Sequence, residues 1–166
     1  SGADIGGRMF EGWVYTMFNK NASPSDDIPG QDDWFMGEDI AKKGGFLRNM
    51  QDPAAASPPQ PAAYREQYWA DPNSQADNGG VHSNSGPGNR LFYLLSMSIG
   101  IDLAFQIYMQ VLRAMPPLPT YLDLRDAYQA AAARAGKTVE VQAVLSTVGL
   151  GASAVNDWRK ANIPKN

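Results

Sequence analysis

Apolar residues fall three and four apart through the second half of the chain and lose that rhythm through much of the first. Leu91, Leu94, Leu95 and Ser98 mark one face of a segment running to Gly100, with Pro87 in its first turn and Ser85 in the N-cap place. Ile101 to Met115 follows, apolar almost all round through Leu103, Ala104, Phe105, Ile107, Tyr108, Val111 and Leu112. Such a pattern predicts a helix central in the core. Pro116, Pro117 and Pro119 stop it. Thr120 and Asp123 then have capping-box spacing, with Asp in place of Glu, ahead of Tyr121, Leu124, Tyr128 and an alanine run that ends at Gly136. Thr138 is placed to cap a last helix carrying Val141, Val144, Leu145 and Val148, closed by Gly149-Leu150-Gly151.

The first half reads differently. Arg8 to Phe18 predicts a helix, with Met9, Trp13 and Met17 on one face and Phe10, Val14 and Phe18 beside them. Asn19 to Asp32 is a loop, and Asp33 to Asp39 is a compact acidic-aromatic segment. Lys42 to Asp52 reads as an extended piece, and the proline-rich stretch Asp52 to Pro61 as a surface loop. Tyr64 and Tyr68 stand one helical turn apart before a further loop over Trp69 to Ala76. The sum is a mainly α single domain over 1–166. It is irregular over 19–81 and helical over 7–18 and 86–150, with a polar tail over 152–166.

Composition narrows the function more than the fold. A chain of 166 residues is long enough to bury a real core. Its net charge of −3, with no lysine or arginine stripe, excludes a nucleic-acid partner. Without cysteine there is no disulfide framework, thiolate nucleophile or cysteine-type zinc site. Leu91 to Leu112 approaches the length of a membrane span, but Gly100, Asp102, Gln106 and Gln110 interrupt it, so two buried helices joined at Gly100 are expected and no span. Ser1 to Lys20 lacks the basic start and apolar run of a signal peptide.

Chemistry concentrates in Asp77-Asn78-Gly79-Gly80-Val81-His82-Ser83-Asn84-Ser85-Gly86, which holds the chain's single histidine. Within it His82 can act as a general acid or stabilise an oxyanion, with Asp77 orienting the ring; it can equally be a histidine that caps a helix. The sequence has no G-x-S-x-G elbow and no H-E-x-x-H, and one histidine cannot supply a histidine-based zinc site. Asp33 and Glu38, with Asp26, Asp27, Asp32 and Asp39 nearby, can bind calcium through oxygen or form a solvated acidic loop; EF-hand spacing is absent. Arg48, between Leu47 and Asn49, can hold a substrate carbonyl, pair with an acid or lie over apolar surface.

The Asp77–Gly86 block resembles the D-N-G-G-V-H-x-N-S-G block in the C-terminal lobe of the thermolysin-like neutral zinc metallopeptidases, with Ser83 at its variable place. The similarity extends to Asp33-Trp34 with Gly37-Glu38-Asp39, to Leu47-Arg48-Asn49-Met50-Gln51-Asp52-Pro53, to Asn89-Arg90 and to Leu124-Arg125. The resemblance implies a helical lobe forming one wall of an active-site cleft, in a secreted enzyme that hydrolyses peptide bonds with a zinc-bound water. It implies that His82 stabilises the oxyanion at the scissile carbonyl and that Asp77 orients it. Arg48 would bind a substrate carbonyl near the primed-side pocket, with Leu47 in that pocket's wall.

Departures from the family pattern set the remaining expectations. The two zinc histidines and the general-base glutamate of the family lie on a preceding lobe whose H-E-x-x-H is absent from this sequence. The third zinc ligand falls on Glu11 if Gly7 is aligned with the family's glycine, and on Gly6 if Gly2 is. Phe10 and Tyr15 replace polar family residues beside it, Phe35 stands where the family usually has an acid between Asp33 and Glu38, and Leu103 and Phe105 stand where relatives often carry lysine. Taken alone, the chain is therefore expected to be inactive until joined by the zinc-binding N-terminal lobe. The alternative is a non-catalytic peptide- or protein-binding module derived from the same lobe.

Overall fold

The computed structural model describes residues 34–36, 46–117 and 119–154. The expected helix over 7–18, the loop after it and residues Glu11, Asp33 and Glu38 lie outside the described residues, as do the last twelve positions of the expected tail.

Among the described residues four helices carry the fold: α1 (Gly86–Ile99), α2 (Ile101–Ala114), α3 (Tyr121–Ala135) and α4 (Thr138–Thr147). Helix α1 packs on α2 and α4, and α3 packs on the same two, so the helices close into a ring around one core. The periodic positions form that core. Leu91, Phe92 and Leu95 come from α1, Ala104, Ile107, Tyr108 and Val111 from α2, Tyr128, Ala131 and Ala132 from α3, and Val141, Val144 and Leu145 from α4. The small Ala131 and Ala132 leave room for large neighbours, and Tyr128 is fully buried. Burial pushes its phenol well above the ordinary value, helped by Tyr108.

The connections are as short as the glycines and prolines demand. Gly100, at φ 84° and ψ 146°, alone separates α1 from α2. The expected capping box starts α3: Thr120 Oγ1 accepts from the Asp123 amide at 3.2 Å, and Asp123 Oδ2 accepts from the Thr120 amide at 2.9 Å. Gly136 ends the same helix in the left-handed conformation.

Several expectations require correction. Helix α2 is not apolar-buried all round; Asp102, Gln106, Arg113 and Ala114 are exposed, Leu112 is 43% exposed, and Leu103 and Phe105 are only half-buried. It lies on the rim of the ring and buries one stripe. Ser85 does not cap α1, because its hydroxyl is turned to the His82 carbonyl at 2.8 Å. The cap place of α4 belongs to Lys137 rather than Thr138, one residue earlier than the sequence suggested, and no side chain caps it. Tyr64 and Tyr68 share no helix: both Arg65 and Tyr68 have positive φ, and Tyr64 is buried while Tyr68 is exposed.

The irregular part leans on α1. Strand β1 (Phe35–Met36) pairs antiparallel with β2 (Arg48–Asn49), matching Phe35 to Asn49 and Met36 to Arg48. The extended reading of this region thus holds for a two-residue strand. Trp34 pins the pair to the bundle, edge-on to Phe92 at 6.2 Å and to Tyr93 at 5.0 Å between ring centroids. The proline-rich stretch is less superficial than expected. Pro53, Ala56, Gln60 and Pro61 are buried because the chain runs beneath the start of α1. A Cβ on Gly86 would stand 2.2 Å from the Pro61 carbonyl oxygen, so only glycine lets the helix begin there.

Candidate functional site

The site is built on a turn wound the wrong way for L-residues. Asp77, Asn78, Gly79 and Gly80 all have positive φ, at 51°, 47°, 76° and 80°. Left-handed winding costs an ordinary L-residue about 1–2 kcal/mol, which Asp and Asn tolerate best and glycine escapes. The order Asp-Asn-Gly-Gly is therefore a sequence able to make this turn. Gly80 is required twice over, since a Cβ there would also lie 2.5 Å from Asn84 Nδ2 and 2.8 Å from Ala70 Cβ.

The turn points the Asp77 carboxylate back over the residues that follow it. Oδ2 accepts from the Ser83 amide at 2.8 Å, the Ser83 hydroxyl at 2.8 Å and the His82 amide at 3.1 Å. Oδ1 lies 2.6 Å from His82 Nδ1. These donors, the Ser83 amide first and the imidazole next, hold the Asp77 carboxyl well below the usual carboxylate range. An ionised carboxylate only accepts, so the proton between the two groups belongs to Nδ1, and Nε2 is the ring atom left facing outward. The imidazole is 76% exposed, against 25% for its carboxylate.

Further contacts fix the main chain under the ring. Gln60 Nε2 donates to the His82 carbonyl at 2.7 Å and to Ser85 Oγ at 3.2 Å. Buried Asn84 engages both backbone groups of Ala70, accepting from its amide at 2.8 Å and donating to its carbonyl at 3.0 Å. The Tyr121 hydroxyl, on the first residue of α3, donates to the Asn84 carbonyl at 2.6 Å. Sequence reasoning missed Gln60, Ser83, Asn84 and Tyr121 as supports. Only Ser83 carried a usable sign, a hydroxyl at the one free place of the block.

Behind the turn lies a cavity of about 360 Å³ between Trp69, Gly80, Asn84, Met115, Tyr121 and Leu124. His82 is not in its wall, and its polar lining is already engaged: Asn84 by Ala70, Ser85 by His82 and Thr120 by Asp123. The Asp77–His82 pair lies outside this cavity, with the imidazole exposed.

The structure brings His82 and Asp77 together, and Leu47 and Arg48 lie at and beside β2. Leu47 is 49% exposed, and its carbonyl accepts from Arg48 Nη1 at 2.8 Å. Arg48 Nε is buried without a hydrogen-bond partner among the described residues. No group of three histidine or acidic side chains able to hold a metal occurs among the described residues. Within that set the Nδ1 of His82 is committed to Asp77. The described donor set therefore does not fit a catalytic zinc, and Glu11, Asp33 and Glu38 lie outside it. Among the described residues no helix is long and apolar enough to cross a membrane.

Comparison with known proteins identifies the family. A family model described as thermolysin metallopeptidase, alpha-helical domain, matches residues 1–149. The chain is 33% identical over 132 residues to a zinc metalloproteinase of Renibacterium salmoninarum, covering 71% of the chain and 23% of that protein. It is 35% identical over 124 residues to the neutral protease NprE of Bacillus pumilus, covering 72% of the chain and 40% of that protein. A bacillolysin of Brevibacillus brevis is 47% identical over 68 residues, 39% of the chain and 12% of its own length. The chain thus spans well under half the length of these relatives.

Proposed function

The chain belongs to the family of the thermolysin metallopeptidase alpha-helical domain and corresponds to its C-terminal helical lobe, and from that premise we propose that it supplies half of a peptide-hydrolysing site. The observation that carries the reading is the Asp77–His82 pair, with Nε2 turned outward on a backbone held from several sides. A protonated imidazole donates through Nε2 to an oxygen that gains negative charge, and Asp77 stabilises the cation this requires. Because Asp77 fixes the ring from behind, the donor is aimed before substrate arrives. We assign the substrate carbonyl to the Arg48 guanidinium, a fixed charged donor, with half-exposed Leu47 offering apolar surface beside it.

The exposure of His82 explains why we expect the lobe to be inactive alone. A donor open to water gains little from electrostatic preorganisation, because the solvent competes for the same charge. A second lobe is needed to exclude water and to bring zinc, which the described residues do not hold. We assign that task to an N-terminal lobe carrying H-E-x-x-H, with a peptide or protein as substrate, and expect secretion of the complete enzyme. We reserve any calcium role for Asp33 and Glu38, and any zinc-ligand role in this chain for Glu11.

The test is reconstitution. Mixing or co-expressing the chain with a relative's H-E-x-x-H lobe should give chelator-sensitive cleavage of a quenched peptide that neither half shows alone. His82→Ala in that mixture should lower kcat by about 10²–10³-fold, the effect of losing one oxyanion donor. Chelator-sensitive casein hydrolysis by the unmixed chain would sink the claim of inactivity. One observation favours a second reading, a non-catalytic binding module. Phe35 is 38% exposed and stacks on Phe46 at 4.5 Å between centroids, giving the strand pair an apolar face where the family pattern has an acid. Under that reading the reconstituted pair takes up no zinc and cleaves nothing, yet still binds peptide.

A further inference from the structure

The two oxygens of Asp77 are unequally engaged. Oδ2 has three donors within 3.1 Å, while Oδ1 meets the imidazole at 2.6 Å. Two of the three donors on Oδ2 are backbone amides, which any residue type but proline at positions 82 and 83 would supply. The third is the Ser83 hydroxyl, which requires serine or threonine at position 83. Half-burial of Ser83 keeps the hydroxyl from being freely exchanged for water.

We propose that the Ser83 hydroxyl is a tuning group for the Asp77–His82 pair: as a third donor to Oδ2 it tempers the pull that Oδ1 exerts on the ring Nδ1–H. The amides alone already hold the carboxylate in place, so the hydroxyl acts mainly on charge. Each donor to a carboxylate stabilises the anion and makes its other oxygen a weaker acceptor. Residue 83 thereby sets how strongly Asp77 grips Nδ1–H, and so how firmly the ring is held. Asp77 is the charged group that bonds the ring; Gln60 and Ser85, which meet the His82 carbonyl, are neutral.

This rests on His82 being the working imidazole, but its test does not. The chain has a single histidine, so the imidazole resonances are unambiguous by NMR. In Ser83→Ala the Hδ1 resonance should move downfield as the bond to Oδ1 strengthens. The acid limb of the Asp77 carboxyl ¹³C titration should move up by roughly half a pH unit, about a threefold gain in proton affinity. Ser83→Cys, close in size but a weak donor, should follow Ala and guards against a packing defect, while Ser83→Thr should keep both signals at the parent's positions. Parent-like signals in both the Ala and Cys variants overturn the proposal, whether or not thermal stability falls. A Thr variant that behaves like Ala overturns it too. Failure of the reconstituted pair to cleave peptide would count against the functional reading and leave these signals as predicted.

Discussion

The helical ring and the segment that precedes it are specified in opposite ways. In the ring, apolar residues three and four apart meet their like, and the contacts are numerous and individually replaceable. In residues 46–85, buried side chains hold backbone groups far away in the chain, as Gln60 holds the His82 carbonyl and Asn84 holds Ala70. The ring can lose a little everywhere and stay a ring. The segment also depends on a few long-range side-chain bonds, and those of Gln60 and Asn84 fix the main chain beneath the imidazole. Stability resides mainly in one region and aim in the other, a division that perturbations should expose.

The largest effect should come from the ring. Phe92→Ala removes a fully buried side chain that touches Trp34 and Tyr108, and should cost about 3–5 kcal/mol in chemical denaturation. Next come two glycines that share a positive φ but differ in surroundings. Gly80→Ala meets both left-handed strain and the Asn84 amide, and should cost about 2–4 kcal/mol while shifting the His82 resonances. Gly136→Ala, at φ 66° with nothing within 4 Å of its Cβ, should cost only about 1–2 kcal/mol and leave those resonances alone. Equal losses for the two would show that crowding at Gly80 is not what holds the turn. Thr120→Ala opens the capping box and should cost about 1 kcal/mol by the same denaturation assay.

The gentlest perturbation is pH. Asp77 has a folded value depressed below its unfolded one, so the unfolded chain binds its proton first on acidification. Its contribution is therefore present in full at neutral pH and is lost as pH falls through and below the ordinary carboxylate range. Denaturation midpoints measured on descending pH should decline there, and Asp77→Asn should flatten that decline. An unchanged slope in the variant would remove Asp77 from the account.

The same division explains what could be read in the chain. Periodicity with glycine and proline stops located all four helices, and the Thr120–Asp123 box was legible because its partners are local. The burial of α2 was overread, since composition shows that a face is apolar but not whether anything covers it. Ser85 and Thr138 were taken for caps because serine and threonine favour that place; Ser85 answered instead to the His82 carbonyl. Asp77 and His82 were legible together through their block. Gln60 and Tyr121 were not, because their partners lie 22 and 37 residues away and such bonds leave no period in the sequence. Glu11, Asp33 and Glu38 remain expectations from the family pattern.

The reversed hand of Asp77–Gly80 has a consequence for register. A right-handed helix grows by adding residues of its own hand, and α1 could in principle lengthen backward from Gly86 or slip by part of a turn. Four successive residues of opposite hand give such growth nothing to propagate into. The turn is a stop, and the short stretch between it and α1 has a fixed number of residues. The imidazole is thereby indexed to the bundle: its position along the α1 axis is counted off in residues rather than balanced by competing contacts.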